Sequence, residues 1–470
     1  MTLATQFSGR IVMVGCGSIG QAVLPLLLRH VVPSPDRITI VTADERGRAA
    51  AERFGVEYRV QPLTRENHRA VMEPLLRPGD FLLNLSVDVE SVSMVRLARE
   101  LQVLYLDTVI EPWAGGYTDL SKSASERSNY GMREVALQLG RELGAGPTAV
   151  IAQGANPGLV SQLVKEALLR MAEETGLACA QPVDRAGWAV LMRDLGIKAV
   201  HIAERDTQVA AGHPKKPGEF VNTWSIDGFV GEGCQPAELG FGTHEKQLPA
   251  EGRRHGYGCD AAIYLERPGA STRVRSWTPL AGPYHGFLIT HNEAISIADY
   301  YTCRDGDTVT WRPTVHYAYH PCDDAVLSVH EFAGRNWQMQ PAQRLLMDEI
   351  SDGIDELGVL LMGNPKGVFW YGSRLSTHEA RELAPFNSAT SLQVAAGVLG
   401  GVVAAIESPA MGMVEADQLD HRRVMEVARP YLGPVVGAWS DWTPLQDRGV
   451  LFPEDLDPSD PWQFKNILVR

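Results

Sequence analysis

The feature that most constrains this chain is a glycine-rich turn close to its beginning, within the run IVMVGCGSIG at residues 11–20. An apolar stretch typical of a strand comes before the turn, and a helical pattern follows it at residues 21–29. In this spacing Gly15 permits a tight turn, Gly17 lets the backbone approach a pyrophosphate, and Gly20 lets helix and strand pack closely. Because the start of the helix adds unpaired N–H groups, the turn predicts a dinucleotide-binding site.

An acidic residue after the second predicted strand bears on which dinucleotide binds. Asp44 stands where a carboxylate accepts a hydrogen bond from the adenine ribose 2′-hydroxyl and repels a 2′-phosphate. Its position favours NAD, although Arg46 and Arg48 lie close by and leave NADP open as an alternative.

Strand and helix patterns alternate from residue 11 to about residue 150. Such alternation is typical of an α/β domain with a Rossmann-type, doubly wound parallel sheet. Ligands of these sheets bind at the carboxyl ends of the strands. The predicted strands are 11–14, 37–41, 56–60, 81–85, 103–107 and 148–152. The predicted cofactor-binding residues are Gly15, Gly17, Ser18, Ile19, Gly20, Asp44, Asn84, Ser86, Thr108, Ala155 and Pro157.

The pattern changes at the turn GANPG, residues 154–158, which we interpret as a domain boundary. Short alternating runs then predict a second, α+β domain with a largely antiparallel sheet, over residues 154–384. Within it, a stripe at Ile350, Ile354, Leu357 and Leu361 predicts a helix over Ala342–Leu361.

The part of the chain after residue 384 has two predicted roles. About residues 385–420, which include an apolar helix at Ser388–Ile406, are predicted to pack on the nucleotide-binding domain of residues 1–153 and complete it. Residues 421–470, which are rich in proline at their end, are predicted to form an extended C-terminal arm.

Composition restricts the partners. With 43 basic and 57 acidic residues the formal net charge is −14, which argues against nucleic acid and is compatible with a cationic substrate. The 6 cysteines form no C-x-x-C motif, as expected for reduced thiols in the cytoplasm. We find no signal-peptide pattern and no apolar stretch long enough to span a membrane.

Three further stretches carry candidate catalytic or ligand-binding residues. Trp224 stands among glycines near Asp227 and Glu232, an arrangement suited to an alkylammonium ion but also to simple packing of a loop. The run THNE places His291 and Glu293 at a predicted hairpin bend, either for proton transfer or as exposed turn residues.

The run VHYAYH, residues 315–320, contains two histidines that a helix would bring to one face for a metal ion. Its tyrosines alternate as in a strand, however, and no clear third ligand is present, so we predict no metal site.

Several long stretches resemble the bacterial homospermidine synthase family, within the saccharopine dehydrogenase-like superfamily. They extend from about residue 10 to about residue 376. The stretches are IVMVGCGSIG, LDTVIEPWAGGY, QGANPGLVS, AERDTQ, VNTWSIDGFVGEG, THNEAISIADYY, PTVHYAYHPCDDA, MDEISDGIDELGVLLMG and WYGSRLS.

The resemblance implies a homodimeric enzyme that joins two putrescine molecules into homospermidine and releases ammonia. In this family NAD is a prosthetic group that accepts a hydride from one amine and returns it to the final Schiff base, so no net redox change occurs. The resemblance also implies roles for residues in the matching motifs. The implied catalytic residues are Trp224, Glu204, Glu232, His291, Glu293 and Asn156, and the implied substrate-binding residues are Asp88, Glu111 and Asp355.

Two alternatives stay open. One is a related reductase that forms a polyamine with net consumption of NAD(P)H, and the other is a non-catalytic sensor of polyamines or NAD on the same scaffold. A saccharopine-type substrate carries several carboxylates and would require arginines, whereas the motifs of this chain offer Glu, Asp, Trp and His.

Overall fold

The structure is a computed structural model and describes residues 4–470. The strands in chain order are β1 (Ile11–Val14), β2 (Ile38–Thr42), β3 (Glu57–Val60), β4 (Phe81–Asn84), β5 (Leu104–Asp107), β6 (Ala149–Ile151), β7 (Ala199–Asp206), β8 (Glu219–Asn222), β9 (Pro236–Gly240), β10 (Gly252–Arg254), β11 (Ala262–Pro268), β12 (Arg273–Thr278), β13 (Gly282–Phe287), β14 (Cys303–Asp305), β15 (Thr308–Trp311), β16 (Thr314–His320), β17 (Ala342–Leu345), β18 (Ile354–Met362), β19 (Val368–Ser376), β20 (Met413–Glu415) and β21 (Val435–Ser440). The α-helices are α1 (Ser18–His30), α2 (Arg48–Phe54), α3 (His68–Met72), α4 (Ser91–Leu101), α5 (Asn129–Leu143), α6 (Leu159–Thr175), α7 (Arg185–Asp194), α8 (Ile226–Cys234), α9 (Asn292–Tyr300), α10 (Asp323–Gly334), α11 (Thr377–Leu383), α12 (Ala389–Glu407), α13 (His421–Ala428) and α14 (Phe464–Ile467).

The first sheet has seven strands in the order β20-β6-β5-β4-β1-β2-β3, all of them parallel. Successive residues of β1 enter different cores: Ile11 and Met13 join one hydrophobic cluster, and Val12 and Val14 join another. Both faces of the sheet are therefore covered, as a parallel sheet requires. The predicted Rossmann-type fold is confirmed.

The second sheet has ten strands. Its main path runs β10-β11-β9-β16-β7-β18-β19-β21, with the hairpin of β12 and β13 joined to β16. The pairing of β16 with β7 is parallel, and the other pairings in this sheet are antiparallel. The prediction of a largely antiparallel second sheet is thus confirmed, with one parallel pair at its centre.

The predicted helix over Ala342–Leu361 is wrong. The segment forms the short strand β17 and the long strand β18, which lies between β7 and β19. A central strand buries both of its faces, so its sequence lacks an alternation of apolar and polar residues, and Ile354, Leu357 and Leu361 of β18 match helical spacing by chance. The correction matters because it buries Asp355 fully instead of exposing it to solvent.

Helix α12 confirms the predicted apolar helix, and it packs against the turn that follows β6. Gln153 Nε2 donates to the carbonyl of Gly397 at 3.0 Å. By length and composition α12 could cross a membrane, but 89% of its apolar window is buried inside the protein. Strand β20, which no pattern predicted, lies beyond this helix and adds to the edge of the first sheet beside β6.

The C-terminal residues 421–470 are not uniformly extended. They contain α13 and α14, and β21 pairs antiparallel with β19 at the edge of the second sheet. Between these elements the chain follows the surface without regular structure.

The close approach of α12 to the turn at Gly154 gives a stability prediction. A Cβ at Gly397 would lie 1.9 Å from the carbonyl oxygen of Gly154, whereas one at Gly334, the last residue of α10, would meet nothing within 4 Å. We expect Gly397→Ala to cost about 1–3 kcal/mol through overpacking and to lower the melting temperature. Gly334→Ala, where alanine also has the higher helix propensity, is the matched control and should melt at or slightly above the temperature of the parent; equal melting of both variants would contradict the prediction.

Candidate active site

A cavity of about 710 Å³ lies between the carboxyl edge of the first sheet and the centre of the second sheet. One part is lined by the glycine turn and the loops after β2, β4 and β5, and the other part by residues of β7, β16 and α8. Its volume suits a small-molecule ligand site, and its position at the strand ends is the usual one for open α/β sheets.

The glycine turn has the geometry that its sequence predicts. Gly15 has φ of +89°, and a Cβ there would lie 2.8 Å from the carbonyl of Leu85. A Cβ at Gly17 would meet none of the atoms of residues 4–470 within 4 Å although the residue lines the cavity, so the backbone is open to a ligand. A Cβ at Gly20 would lie 2.6 Å from the carbonyl of Gly15. With α1 beginning at Ser18, the turn fits a pyrophosphate.

Asp44 lines the cavity and is paired with Arg46. Arg46 Nε donates to Asp44 Oδ2 at 2.7 Å, and this hydrogen bond lowers the pKa of the carboxyl group. Asp44 is therefore charged at neutral pH, and its acceptance of a hydrogen bond from a ribose hydroxyl stays a prediction.

The cavity brings together most of the predicted cofactor-binding residues. Gly20 packs behind the turn, and Asn84 supports Ser86, whose hydroxyl donates to Asn84 Oδ1 at 2.6 Å. The predicted cofactor-binding residues that line the cavity are Gly15, Gly17, Ser18, Ile19, Asp44, Ser86, Thr108, Ala155 and Pro157.

Glu204 on β7 is a buried carboxyl group in the part of the cavity away from the glycine turn. Asn156 Nδ2 donates to it at 2.9 Å and Tyr317 OH at 2.5 Å. Burial raises the pKa of Glu204 to about 8, and the charge of Asp206 adds to that rise, while the two hydrogen bonds oppose it. A carboxyl group with such a pKa can hold or release a proton near neutral pH.

His291 stands between two carboxylates. Its Nε2 lies 2.9 Å from Glu232 Oε2, and its Nδ1 lies 3.1 Å from Glu293 Oε1. Burial by itself lowers the pKa of His291, but the charges and hydrogen bonds of the two glutamates outweigh burial and hold it well above its ordinary value. His291 and Glu232 line the cavity, whereas Glu293 contacts His291 from behind.

The predicted hairpin bend at Thr290–Glu293 is wrong. Strand β13 ends at Phe287, and His291 occupies the N-cap position that precedes α9. The apolar, helix-compatible run after Glu293 and the acidic residue in its first turn are both signals of a helix start. As a result the side chains of His291 and Glu293 are buried, not exposed.

Trp224 lies just before α8 and lines the cavity. Its Nε1 donates to the hydroxyl of Tyr319 at 2.9 Å, which fixes the indole at its polar edge. The ring of Tyr319 in turn stacks on that of Tyr317, with centroids 5.1 Å apart. The indole is therefore held in a defined orientation beside the acidic part of the cavity.

The two predicted substrate-binding acids from the first sheet also reach the cavity. Burial raises the pKa of Glu111 to about 8, against a hydrogen bond from Tyr117. Burial also raises the pKa of Asp88, and the nearby charge of Asp227 adds to this.

Asp355, like Glu293, does not itself line the cavity. Its Oδ2 accepts from Thr390 Oγ1 at 2.5 Å, and Thr390 lines the cavity. Burial and the charges of Glu204 and Asp206 hold the pKa of Asp355 well above its ordinary value.

Tyr317 and Tyr319 are the main residues that our sequence reasoning did not assign to the site. The alternation in VHYAYH is visible in the sequence, and β16 confirms it as a strand. We considered this run for its histidines, whereas its tyrosines hold Glu204 and Trp224 in place. Within residues 4–470, no group of three or more His, Cys, Asp or Glu residues is arranged to hold a metal ion.

Comparisons with known proteins agree with this architecture. The family model for the saccharopine dehydrogenase NADP binding domain matches residues 11–150, and that for the saccharopine dehydrogenase C-terminal domain matches residues 154–441. The homospermidine synthase of Blastochloris viridis is 53% identical over 99% of this chain and 98% of its own, and that of Mesorhizobium japonicum is 50% identical over 99% and 97%. This chain belongs to the homospermidine synthase family.

Structural comparison extends the match. A crystal structure of the homospermidine synthase from Legionella pneumophila in complex with NAD superposes with a TM-score of 0.93, at 46% identity, and each chain covers 99% of the other. The predicted family and fold are therefore confirmed, and the chain is an enzyme of the homospermidine synthase family.

The position of His291 between two carboxylates gives a prediction about its titration. Glu232→Gln removes one negative charge that favours the imidazolium form, so the pKa of His291 should fall, by about 1 unit or more for a buried pair. Titration of ¹³C-labelled histidine by NMR measures it, with the resonance assigned from His291→Asn. Asp227→Asn, which alters another acid of the cavity wall, is the control; an unchanged pKa in Glu232→Gln would refute the pairing.

Proposed function

We propose that the protein is a homospermidine synthase that condenses two putrescine molecules, releases ammonia and uses NAD as its cofactor. The observation that carries the proposal is a single cavity with a dinucleotide-binding turn in one part and an indole among buried carboxyl groups in the other. The relatives at 50% and 53% identity support the same activity. The cycle includes an oxidation and a reduction, and it has no net redox change.

The cofactor site of the proposal is built from the glycine turn, Asp44, Ser86 and Thr108, with Ala155 and Pro157 on the opposite wall. When bound, NAD supplies a hydride acceptor that becomes a donor later in the same turnover. The open backbone at Gly17 leaves room for the pyrophosphate, and the charged Asp44 favours a ribose hydroxyl over a 2′-phosphate.

The substrate site of the proposal takes a diamine that is cationic at neutral pH. Glu204, Glu232, Glu111 and Asp88 line the cavity and can bind ammonium groups through charge-assisted hydrogen bonds. Among the described residues that line the cavity, Arg46 provides the guanidinium group, and it is already paired with Asp44. This lining suits an amine and disfavours the amino-acid substrates of saccharopine-type reductases.

Each catalytic candidate receives a specific task. In its ionised form Glu204 accepts the proton that a bound ammonium group must lose before the adjacent carbon is oxidised. A carboxylate whose pKa is about 8 is a stronger base than an ordinary carboxylate. Asn156 orients Glu204, His291 supplies a fixed positive charge beside Glu232, and Glu293 maintains the charge of His291. Asp355 acts on the site through Thr390.

We also propose a homodimer in the cytoplasm, on the strength of the family resemblance. The proposed domains are residues 1–153 with about residues 385–420 for the cofactor, residues 154–384 for substrate and dimerisation, and residues 421–470 as a C-terminal arm. Support for the first of these comes from α12 and β20, which pack on the first sheet.

The function can be tested by incubating purified protein with putrescine and a catalytic amount of NAD. We expect homospermidine and ammonia in equal amounts, without a steady increase in NADH absorbance, because the same turnover returns the hydride. Stoichiometric use of NAD(P)H would favour the related reductase, and binding without turnover would favour a sensor. Unchanged putrescine with the protein folded and NAD bound would refute the proposal.

Trp224 allows a sharper test of how the cation is recognised. A cation–π interaction contributes about 0.5–2 kcal/mol, so Trp224→Ala should lower kcat/KM for putrescine roughly tenfold or more. Trp224→Phe keeps an aromatic face and should retain part of the activity. Trp439→Ala, on β21 outside the cavity, is the matched control and should remain active. Equal activity of the Phe and Ala variants at position 224 would assign the indole to packing.

A further inference from the structure

A second buried polar cluster lies directly behind the catalytic pair of Glu232 and His291. At its centre is the carboxyl group of Glu238 on β9, which is fully buried. Glu238 Oε2 accepts from Thr290 Oγ1 at 2.7 Å and from the backbone N–H of Asn129 at 2.9 Å. Its Oε1 accepts from the backbone N–H of Tyr130 at 3.3 Å. None of these four residues lines the cavity.

The cluster joins three separate parts of the chain. Asn129 and Tyr130 begin α5, so Glu238 satisfies N–H groups at the start of this helix from a strand of the other sheet. Asn129 Nδ2 also donates to Thr290 Oγ1 at 3.2 Å and to Gln235 Oε1 at 3.4 Å. Helix α5 is thereby hydrogen-bonded both to Thr290 and to Gln235.

Two of these contacts adjoin the catalytic pair along the chain. Thr290 immediately precedes His291, and Gln235 immediately follows α8, the helix that carries Glu232. Gln235 N–H also donates to the carbonyl of Glu232 at 3.3 Å. The 2.9 Å separation between His291 Nε2 and Glu232 Oε2 therefore depends on two backbone segments that meet at Glu238 and Asn129.

Opposing influences act on the ionisation of Glu238. Burial raises its pKa to about 7, while the hydrogen bonds that it accepts and its position at the start of α5 oppose that rise. His255 Nε2 lies 3.4 Å from Glu238 Oε1, and burial lowers the pKa of His255 to about 4, so this imidazole is neutral. The hydroxyl of Ser125 contacts the other ring nitrogen of His255 at 2.8 Å.

We propose that Glu238 is a positioning residue that holds His291 against Glu232, acting through Thr290 on one segment and through Asn129 and Gln235 on the other. It touches neither substrate nor cofactor. Its effect is on the distance within the catalytic pair, and therefore on the charge of His291, since the glutamate beside His291 favours the imidazolium form.

The test uses two variants of Thr290 in the full-length protein. Thr290→Val preserves the shape of the side chain but removes the hydroxyl that donates to Glu238, and Thr290→Ser keeps that hydroxyl. We expect Thr290→Val to lower the pKa of His291, measured by NMR of ¹³C-labelled histidine, and to lower kcat roughly tenfold. We expect Thr290→Ser to keep the pKa of His291 at its value in the parent and to keep kcat within about twofold of the parent, and the affinity for NAD to be unchanged in both variants.

A variant of Glu238 itself provides the test if Thr290→Val does not fold. Glu238→Gln keeps the volume but turns an amide towards the N–H groups of Asn129 and Tyr130, and it should shift the pKa of His291 in the same downward direction. If every folded variant among these retains the pKa of His291 and the kcat of the parent, the inference is wrong.

The meaning of the kcat measurement rests on the proposed function, whereas the titration of His291 does not. If the parent fails to convert putrescine, the proposed function fails. The difference in His291 pKa between the Val and Ser variants still decides the inference, because a purely structural role of Thr290 would leave that pKa unchanged in folded protein.

Discussion

The structure around the cavity depends on how the negative charges of its buried carboxyl groups are compensated. Glu204, Glu232, Glu293 and Glu111 are all buried, and the described residues place a single imidazole, that of His291, directly between two of them. An isolated buried carboxylate is costly, so each group must bind a proton, accept several hydrogen bonds or face a cation. The raised pKa values of Glu204 and Glu111 show the first of these solutions.

The second sheet makes this concentration of acids possible. At the centre of this sheet Tyr319 of β16 is the parallel register partner of Glu204 on β7, and Asp355 of β18 is the antiparallel partner of Asp206 on β7. Side chains from neighbouring strands at the same level lie close together. Tyr317 of β16 can therefore donate to Glu204, and Tyr319 of the same strand accepts from Trp224.

Local patterns predicted a large part of this arrangement. The glycine turn, the alternating strands and α12 are each determined by residues close together in the chain, and the structure has them where the sequence indicates. Strand β18 was mistaken for a helix because a strand buried on both faces has no period of two, so only its neighbours in the sheet distinguish it from a helix. The contact of Tyr317 with Glu204 joins residues 113 positions apart, and no local pattern reveals such a pair.

The same limit applies to the identity of the site residues. Trp224 and Glu232 lie near each other in sequence, whereas His291, which contacts Glu232, comes from the start of a helix in another segment. The motifs that resemble a family identify such residues without explaining why they converge. Part of the explanation is that α9 packs against β9, whose Glu238 carboxyl group accepts from the first N–H groups of α5.

The two parts of the cavity also differ in the sign of the charge that they favour in a ligand, and this difference suits the proposed chemistry. The glycine turn presents backbone N–H groups and a helix N-terminus, which attract a pyrophosphate. The opposite part presents carboxyl groups that are partly protonated at neutral pH, with pKa values of about 8 for Glu204 and Glu111. A diamine cation that enters displaces those protons, because its charge lowers the pKa of each carboxyl group that it approaches. Binding of the cation and acceptance of a proton are therefore alternative states of the same groups, and a carboxylate freed by a departing ammonium becomes the base for the next step.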